Sequence, residues 1–242
     1  MSEREQIELK QIIINNIYKA YGKKVVLNNV SFSVNSGECI GIIGVNGSGK
    51  TTLFNVITGE ANGFTGDVIL KTSNDTADNN SYLHKNKKLL KKTIGYIPQE
   101  NPLIDDLSAY DNLRLWYCDS TLDLEKELSE GVLNTLGISD FRKVKVKHLS
   151  GGMKKRLSIG ISLASEPDFL ILDEPGAALD LIAKDIIKNY LLSYKSNKGG
   201  IIIATHDEEE LSLCDRVLVL KNGTLNEISP TMRGSDLVNK LL

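Results

Sequence analysis

The chain has 242 residues, enough to bury a sizeable core in one large domain or two small ones. Its 29 basic and 31 acidic residues leave a formal charge of -2, which gives no basic field for wrapping nucleic acid. Its 41% hydrophobic content suits a soluble globular protein, and every apolar run falls far short of the ~20 residues that a bilayer span needs. The charged start Met1-Ser2-Glu3-Arg4-Glu5 lacks the apolar core of a signal peptide. Cys39, Cys118 and Cys214 stand singly, without metal-ligand spacing, and read as reduced thiols of a cytosolic protein.

In chain order, residues 11–14 and 30–34 read as strands, the second with clean apolar alternation. Tyr21-Gly22-Lys23-Lys24 between them reads as a turn. Tyr21 there fits two roles, a stacking platform for an adenine ring or an ordinary exposed turn aromatic. Residues 39–43 form a short apolar run of the kind that makes a buried strand. Gly44-Val45-Asn46-Gly47-Ser48-Gly49-Lys50-Thr51-Thr52 follows, and residues 53–57 continue as a helix that Gly59 stops. Strand, glycine loop and helix in this order are the context that a G-x-x-x-x-G-K-[ST] match requires. The glycines let the backbone curl with positive φ and expose its N–H groups as an anion nest at a helix N-terminus. Lys50 then reaches the β- and γ-phosphates, and Thr51 gives its hydroxyl to Mg²⁺. A glycine-rich turn in an ordinary α/β protein is the plain alternative; loop and flanks together point to a nucleotide-phosphate site.

Residues 66–70 read as a further strand. Residues 71–92, rich in Asn, Asp and Lys, read as a solvated loop leading into a short helix, not as a nucleic-acid patch. Residues 93–97 form a strand ended by Pro98, with Gln99 in the loop beyond. From Ser108 to Leu136 the apolar residues recur at helical spacing, with Leu113, Trp116 and Tyr117 on one face. Leu124, Leu128, Val132 and Leu136 continue a helical stripe that Gly137 stops. Residues 153–163 read as another helix. This helical middle interrupts the strand pattern and reads as a subdomain inserted into the nucleotide core.

Ser150-Gly151-Gly152 ahead of that last helix is either a simple cap or a second anion-binding arrangement. Residues 169–175 form a buried strand ending in Asp173-Glu174-Pro175, where α/β sheets bind ligands. Asp173 suits Mg²⁺ coordination, directly or through water, beside the Thr51 hydroxyl. Glu174 is placed to polarise a water attacking the γ-phosphate; a merely solvated acidic pair is the alternative. Residues 200–204 make the next strand, ending on Thr205-His206-Asp207, and a lone histidine there is more often structural than catalytic. Residues 217–220 turn at Asn222-Gly223 into Thr224-Leu225, a type I′ hairpin signal, and residues 235–242 close as a short helix.

Taken in order, these blocks resemble the nucleotide-binding subunit of an ATP-binding-cassette transporter over almost the whole chain. Tyr21 falls at that family's adenine-stacking aromatic, Gly44 to Thr51 at its Walker A loop, and Gln99 at the glutamine that touches Mg²⁺ and the membrane partner. Leu149-Ser150-Gly151-Gly152-Met153 matches its signature motif, Asp173 and Glu174 its Walker B aspartate and catalytic glutamate, Ala178-Leu179-Asp180 its D-loop, and His206 its switch histidine. The resemblance implies an α/β fold: a P-loop NTPase (RecA-like) core with an antiparallel β subdomain and an inserted α-helical subdomain. It places residues 1–98 and 164–242 in the core with its β subdomain, and residues 99–163 in the helical piece that carries the signature. Met153 stands where many members have glutamine, a feature of exporter-type subunits. Gly176-Ala177 replaces the usual Thr-Ser or Thr-Asn.

The same resemblance implies an ATPase whose ATP is held by Gly44 to Thr52 of one protomer and by Ser150, Gly151 and Gly152 of a second, head to tail. Thr51, Gln99 and Asp173 are its implied Mg²⁺ contacts, and Glu174, His206 and Gln99 its implied catalytic group. The implied partners are a second cassette, identical or related, and separate transmembrane permease subunits, with no nucleic acid. The implied place is the cytoplasmic face of the cell membrane, and the implied work is export. A soluble ATP-dependent clamp on ribosomes or DNA is the second function class. Relatives of that kind usually carry two cassettes or long coiled-coil insertions, and neither is present here. A neighbouring gene for a polytopic membrane protein would separate the two.

Overall fold

The computed structural model describes residues 9–73, 81–177 and 179–241. The readings at Met1 to Glu5, at Ala178, at Leu242 and over 74–80 lie outside these residues. Strands β1 (Lys10–Tyr21) and β2 (Lys24–Asn35) form one long hairpin about the turn at Gly22. Both run well past the apolar cores read at 11–14 and 30–34. The cross-strand register continues through an irregularity beside Asn16, whose φ is +51°, and the outer residues are half-solvated, which hides them from an apolar pattern. Strand β3 (Cys39–Ile43) leads through the glycine loop into helix α1 (Lys50–Ile57).

Strands β4 (Phe64–Thr72) and β5 (Ser81–Tyr82) complete an antiparallel sheet in the order β2-β1-β4-β5. Strand therefore enters the segment read as a solvated loop, because Ile69 and Leu70 pair with Tyr82 and Ser81. The short helix expected at its end is α2 (Lys87–Thr93), with Lys87, Lys88, Lys91 and Lys92 exposed, and β6 (Ile94–Ile97) follows at once.

Helices α3 (Ala109–Tyr117), α4 (Leu124–Ser129), α5 (Val132–Thr135) and α6 (Gly151–Ser162) fill the chain between β6 and the next strand. Two expectations are corrected here. Leu113 and Tyr117 are buried, but Trp116 is 54% exposed beside an exposed Leu115. The buried ridge of α3 runs Ala109, Leu113, Tyr117 at four-residue steps, and Trp116 falls off its edge. The stripe from Leu124 to Leu136 is two helices, not one. The Glu127 carboxylate accepts the Val132 N–H at 2.9 Å and so caps a fresh start at Gly131.

Strand β7 (Phe169–Asp173), helix α7 (Leu181–Ser196), strand β8 (Gly200–Ala204) and helix α8 (Glu208–Leu211) come next. Strands β9 (Arg216–Lys221) and β10 (Thr224–Ile228) and helix α9 (Gly234–Leu241) close the described chain. Asn222 and Gly223 both have positive φ, +52° and +78°, as the type I′ turn demands. The second sheet has the order β10-β9-β3-β8-β7-β6, parallel throughout except for the β10–β9 pair.

Alternation sends the residues of this sheet into two cores. Ile40, Ile42, Phe169, Ile171 and Ile202 pack with α1 and the antiparallel sheet. Ile43, Leu170, Leu172, Ile201 and Ile203 pack with the helical middle and α7. Burial on both faces is why these strands read as unbroken apolar runs. Because they are parallel, the chain leaves β3, β6, β7 and β8 along one edge, and there the loops gather.

The helical middle is packed tightly at Gly160 of α6, where an added Cβ would come within 2.7 Å of both Ile138 Cδ1 and Leu133 Cδ2. Overpacking costs about 1–3 kcal/mol, against a helix-propensity gain of roughly 1 kcal/mol for alanine. Gly160→Ala should therefore lower the denaturant midpoint, and an unchanged or raised midpoint would show that this contact yields freely.

Candidate functional site

The glycine loop takes its shape from close contacts. A Cβ on Gly44 would lie 2.5 Å from Ser48 Oγ and 2.6 Å from the Leu220 carbonyl, so no larger residue fits. Gly49, at φ +110°, presses against Val26 and leaves the first turn of α1 without any side-chain cap. Val45, Asn46 and Gly47 are exposed, whereas Ser48 Oγ is buried with no hydrogen-bond partner among the described residues. Uncapped N–H groups, an orphaned hydroxyl and a lysine at one loop are the donor set that a phosphate chain satisfies.

Lys50 is buried and donates from Nζ to the Gly44 carbonyl at 2.7 Å. The same ammonium lies 3.1 Å from His206 Nε2 and 3.9 Å from Glu174 Oε1. Since the ammonium has only donors, Nε2 accepts and the imidazole proton sits on Nδ1. Burial pulls the Lys50 pKa down, against the opposing pull of Glu174 and Asp173. Burial, and then the Lys50 charge, also lower the pKa of His206. Both effects keep the imidazole neutral near pH 7.

Thr51 Oγ1 donates to Asp173 Oδ2 at 2.8 Å, joining the first turn of α1 to the last residue of β7. Burial raises the pKa of Asp173, and the Thr51 hydrogen bond opposes that rise. The next residue, Glu174, sits at φ +47°, and its N–H donates to the Ala204 carbonyl of β8 at 2.9 Å. A non-glycine residue in this region is uncommon, and the turn swings the carboxylate off the strand line. There Oε2 accepts from Gln99 Nε2 at 3.2 Å, and Oε1 lies 3.7 Å from His206 Nε2. A hydroxyl and a carboxylate side by side are hard oxygen donors suited to Mg²⁺.

The structure thus brings Lys50, Thr51, Gln99, Asp173, Glu174 and His206 into one cluster. It does not bring Ser150 there. Ser150 caps α6, its Oγ accepting from the Met153 N–H at 3.2 Å, and with Gly151 it is exposed. Gly152 is buried against Ala183 of α7. Tyr21 lies at the end of β1, 53% exposed, with Lys19 Nζ 4.6 Å from its ring centre.

Two polar side chains beside the cluster escaped sequence reasoning. Glu210 accepts from the Thr205 hydroxyl and lies over Gly176, where an added Cβ would meet its carboxylate. Glu208-Glu209-Glu210 reads only as an acidic run, and no local signal marks its third member. Lys155 is the other, buried on α6 in the stretch read only as a helix.

Fold and cluster define a phosphate-loop nucleotide-binding ATPase of the α/β class. The sequence profile described as "ABC transporter" matches residues 27–177, and the chain belongs to that family. It is 32% identical over 230 residues to the linearmycin resistance ATP-binding protein LnrL of Bacillus subtilis (strain 168), covering 93% of this chain and 70% of that protein. It is 35% identical over 215 residues to the lipopolysaccharide export system ATP-binding protein LptB of Escherichia coli (strain K12), covering 87% and 86%. The ATP-binding cassette MJ0796, solved as a dimer in a post-hydrolysis state bound to ADP and Pi, superposes with a TM-score of 0.75 at 27% identity, covering 92% of this chain and 99% of that one. The chain is an ATP-binding subunit and an ATPase of the transporter kind.

The lowered pKa of His206 carries a sign that can be measured. The unfolded chain takes up the histidine proton near pH 6.5 and the nucleotide-free fold takes it up only at lower pH, so this group destabilises the fold progressively as pH drops through that interval. Melting of the nucleotide-free subunit between pH 7.5 and 5.5 should show a smaller decline for His206→Gln than for the wild type. Identical declines would place the imidazole in an unperturbed setting.

Proposed function

We propose that this chain binds Mg²⁺-ATP, forms a head-to-tail sandwich with a second cassette, identical or related, and powers export through separate permease subunits. The observation that carries this reading is the separation of two anion-suited surfaces. The Lys50 cluster is built on one edge of the parallel sheet, and the exposed Ser150-Gly151 end of α6 shares no hydrogen bond or ion pair with it among the described residues. A nucleotide held by the loop of one subunit is enclosed when a second subunit supplies its own α6 end. The exposed apolar pair Leu181 and Ile182, just beyond Asp180, offers further surface for a second cassette.

In this reading the loop N–H groups and Lys50 hold the phosphates, and the exposed Tyr21 ring stacks on the adenine. Thr51, Asp173 and Gln99 hold Mg²⁺, which when bound neutralises charge on the β- and γ-phosphates. The Glu174 carboxylate orients the attacking water and draws its proton, held in place by the Gln99 amide, while His206 takes the Lys50 ammonium on Nε2 and completes the catalytic group. Residues 99–163 act as a helical subdomain of one cassette domain. Its exposed Ile104, Leu115 and Trp116 suit docking on a permease. No described helix is long and apolar enough to cross a membrane, so in this reading the work passes to other chains on the cytoplasmic face. Export follows the role named for LptB, and no nucleic acid is involved.

Replacing Glu174 by Gln keeps its size but removes the charge that orients water, and should cut hydrolysis by ~10²–10⁴. Because the phosphate and metal contacts are untouched, Glu174→Gln should elute as a dimer in Mg²⁺-ATP and as a monomer without nucleotide. Ser150→Arg should bind ATP yet neither dimerise nor turn over. Near-normal hydrolysis by Glu174→Gln would refute the assigned base, and undiminished hydrolysis by Ser150→Arg would refute the shared site.

A further inference from the structure

Lys155 is 3% exposed, yet no carboxylate lies within ion-pair distance of it among the described residues. Its Nζ instead donates to two main-chain carbonyls, Pro98 at 2.9 Å and Gln99 at 3.1 Å. Burial pulls its pKa down to about 8, against the pull of the Asp173 and Glu210 charges. A lysine is seldom buried so fully without a pairing partner, and an apolar residue would fill the same space without desolvating a charge. What the ammonium does here, and an apolar side chain would not, is fasten α6 to the loop that leaves β6.

The two ends of that fastening matter differently. Lys155 lies about one turn along α6 from the Ser150-Gly151 end, so it moves with that end as one rigid piece. Gln99 follows β6 directly, and its side chain donates to Glu174 Oε2 at 3.2 Å. An unbroken line of contacts therefore runs from the α6 N-terminus through the Lys155 ammonium and the Gln99 main chain to the Glu174 carboxylate.

We infer that Lys155 is a positioning residue that couples the two nucleotide sites of the sandwich, setting Gln99 against Glu174 in one site according to where α6 sits in the other. This inference rests on the shared-site reading above. The α6 end of a subunit serves its partner's nucleotide, while Gln99 and Glu174 of the same subunit serve its own. A shift of α6 on engaging the partner's nucleotide is carried by two charge-assisted hydrogen bonds to the Gln99 segment. The link is reciprocal: a nucleotide that fixes Gln99 in one site biases α6 toward engagement in the other.

The test measures ATP hydrolysis against ATP concentration for the full chain and for Lys155→Met and Lys155→Gln, with ATP binding to the monomers measured separately. Lys155→Met fills the space without donating, and should bind ATP within about twofold of the wild type. Its kcat should fall about tenfold, and its Hill coefficient should drop from the wild-type value toward about 1. Lys155→Gln retains an N–H donor and should recover part of both. Gln99→Ala should then cost less in the Lys155→Met background than in the wild type, since both substitutions cut the same line while the metal contact of Gln99 is lost in either.

Wild-type kcat and cooperativity in Lys155→Met would overturn the coupling, and so would a loss of ATP binding in step with activity, which marks a packing role. Failure of Glu174→Gln to dimerise in Mg²⁺-ATP would remove the shared site and the coupling with it. A normal Glu174→Gln dimer beside an unaltered Lys155→Met would overturn the coupling alone.

Discussion

One desolvated ammonium sets the terms for the site. Lys50 Nζ is tied to the Gly44 carbonyl, touches a neutral imidazole, and stands at the outer limit of ion-pair distance from the Glu174 carboxylate. Burial costs this charge its water, and a carboxylate at 3.9 Å repays only part of that cost. The positive charge is therefore kept ready for an anion that brings several oxygens at once. Phosphates fit, because the same loop offers uncapped N–H groups and the unpartnered Ser48 hydroxyl.

Everything else places groups around that charge. Four parallel strands deliver position 44 and its loop, Gln99, Asp173-Glu174 and Thr205-His206 to one edge, and two cores clamp those strands from both faces. Rigid strands matter because the useful geometry is tight: the Thr51 hydroxyl meets Asp173 at 2.8 Å, and the Gln99 amide meets Glu174 at 3.2 Å. The positive φ of Glu174 is stored strain that the hydrogen bond from its N–H to Ala204 helps to hold. The antiparallel sheet supplies the outer wall, and its hairpin ends at Tyr21.

How much of this could be read from sequence follows from range and burial. The parallel strands were legible because both faces are buried, which leaves an unbroken apolar run, and the glycine loop because its shape depends on neighbouring residues alone. The apolar pattern shows only the inner part of the long β1–β2 hairpin, because much of it is solvated and bends beside Asn16. Helical spacing groups Trp116 on one face with Leu113 and Tyr117, because spacing alone cannot tell an edge position from a central one. Asp173 and Glu174 stood out as carboxylates ending an apolar strand. Glu210 and Lys155 did not, since their meaning lies in contacts to Gly176 and to Gln99, distant in sequence, and acidic or basic runs otherwise mark solvated faces.

The central claim is that the buried Lys50 ammonium is held for phosphate, and ATP binding by Lys50→Ala, measured by calorimetry on the isolated subunit, tests it most directly. Removing a desolvated charge should leave the fold intact by circular dichroism and by melting. Affinity for Mg²⁺-ATP should fall by about tenfold or more, the loss expected for one strong charge-assisted contact. Wild-type affinity in a well-folded Lys50→Ala protein would contradict the account.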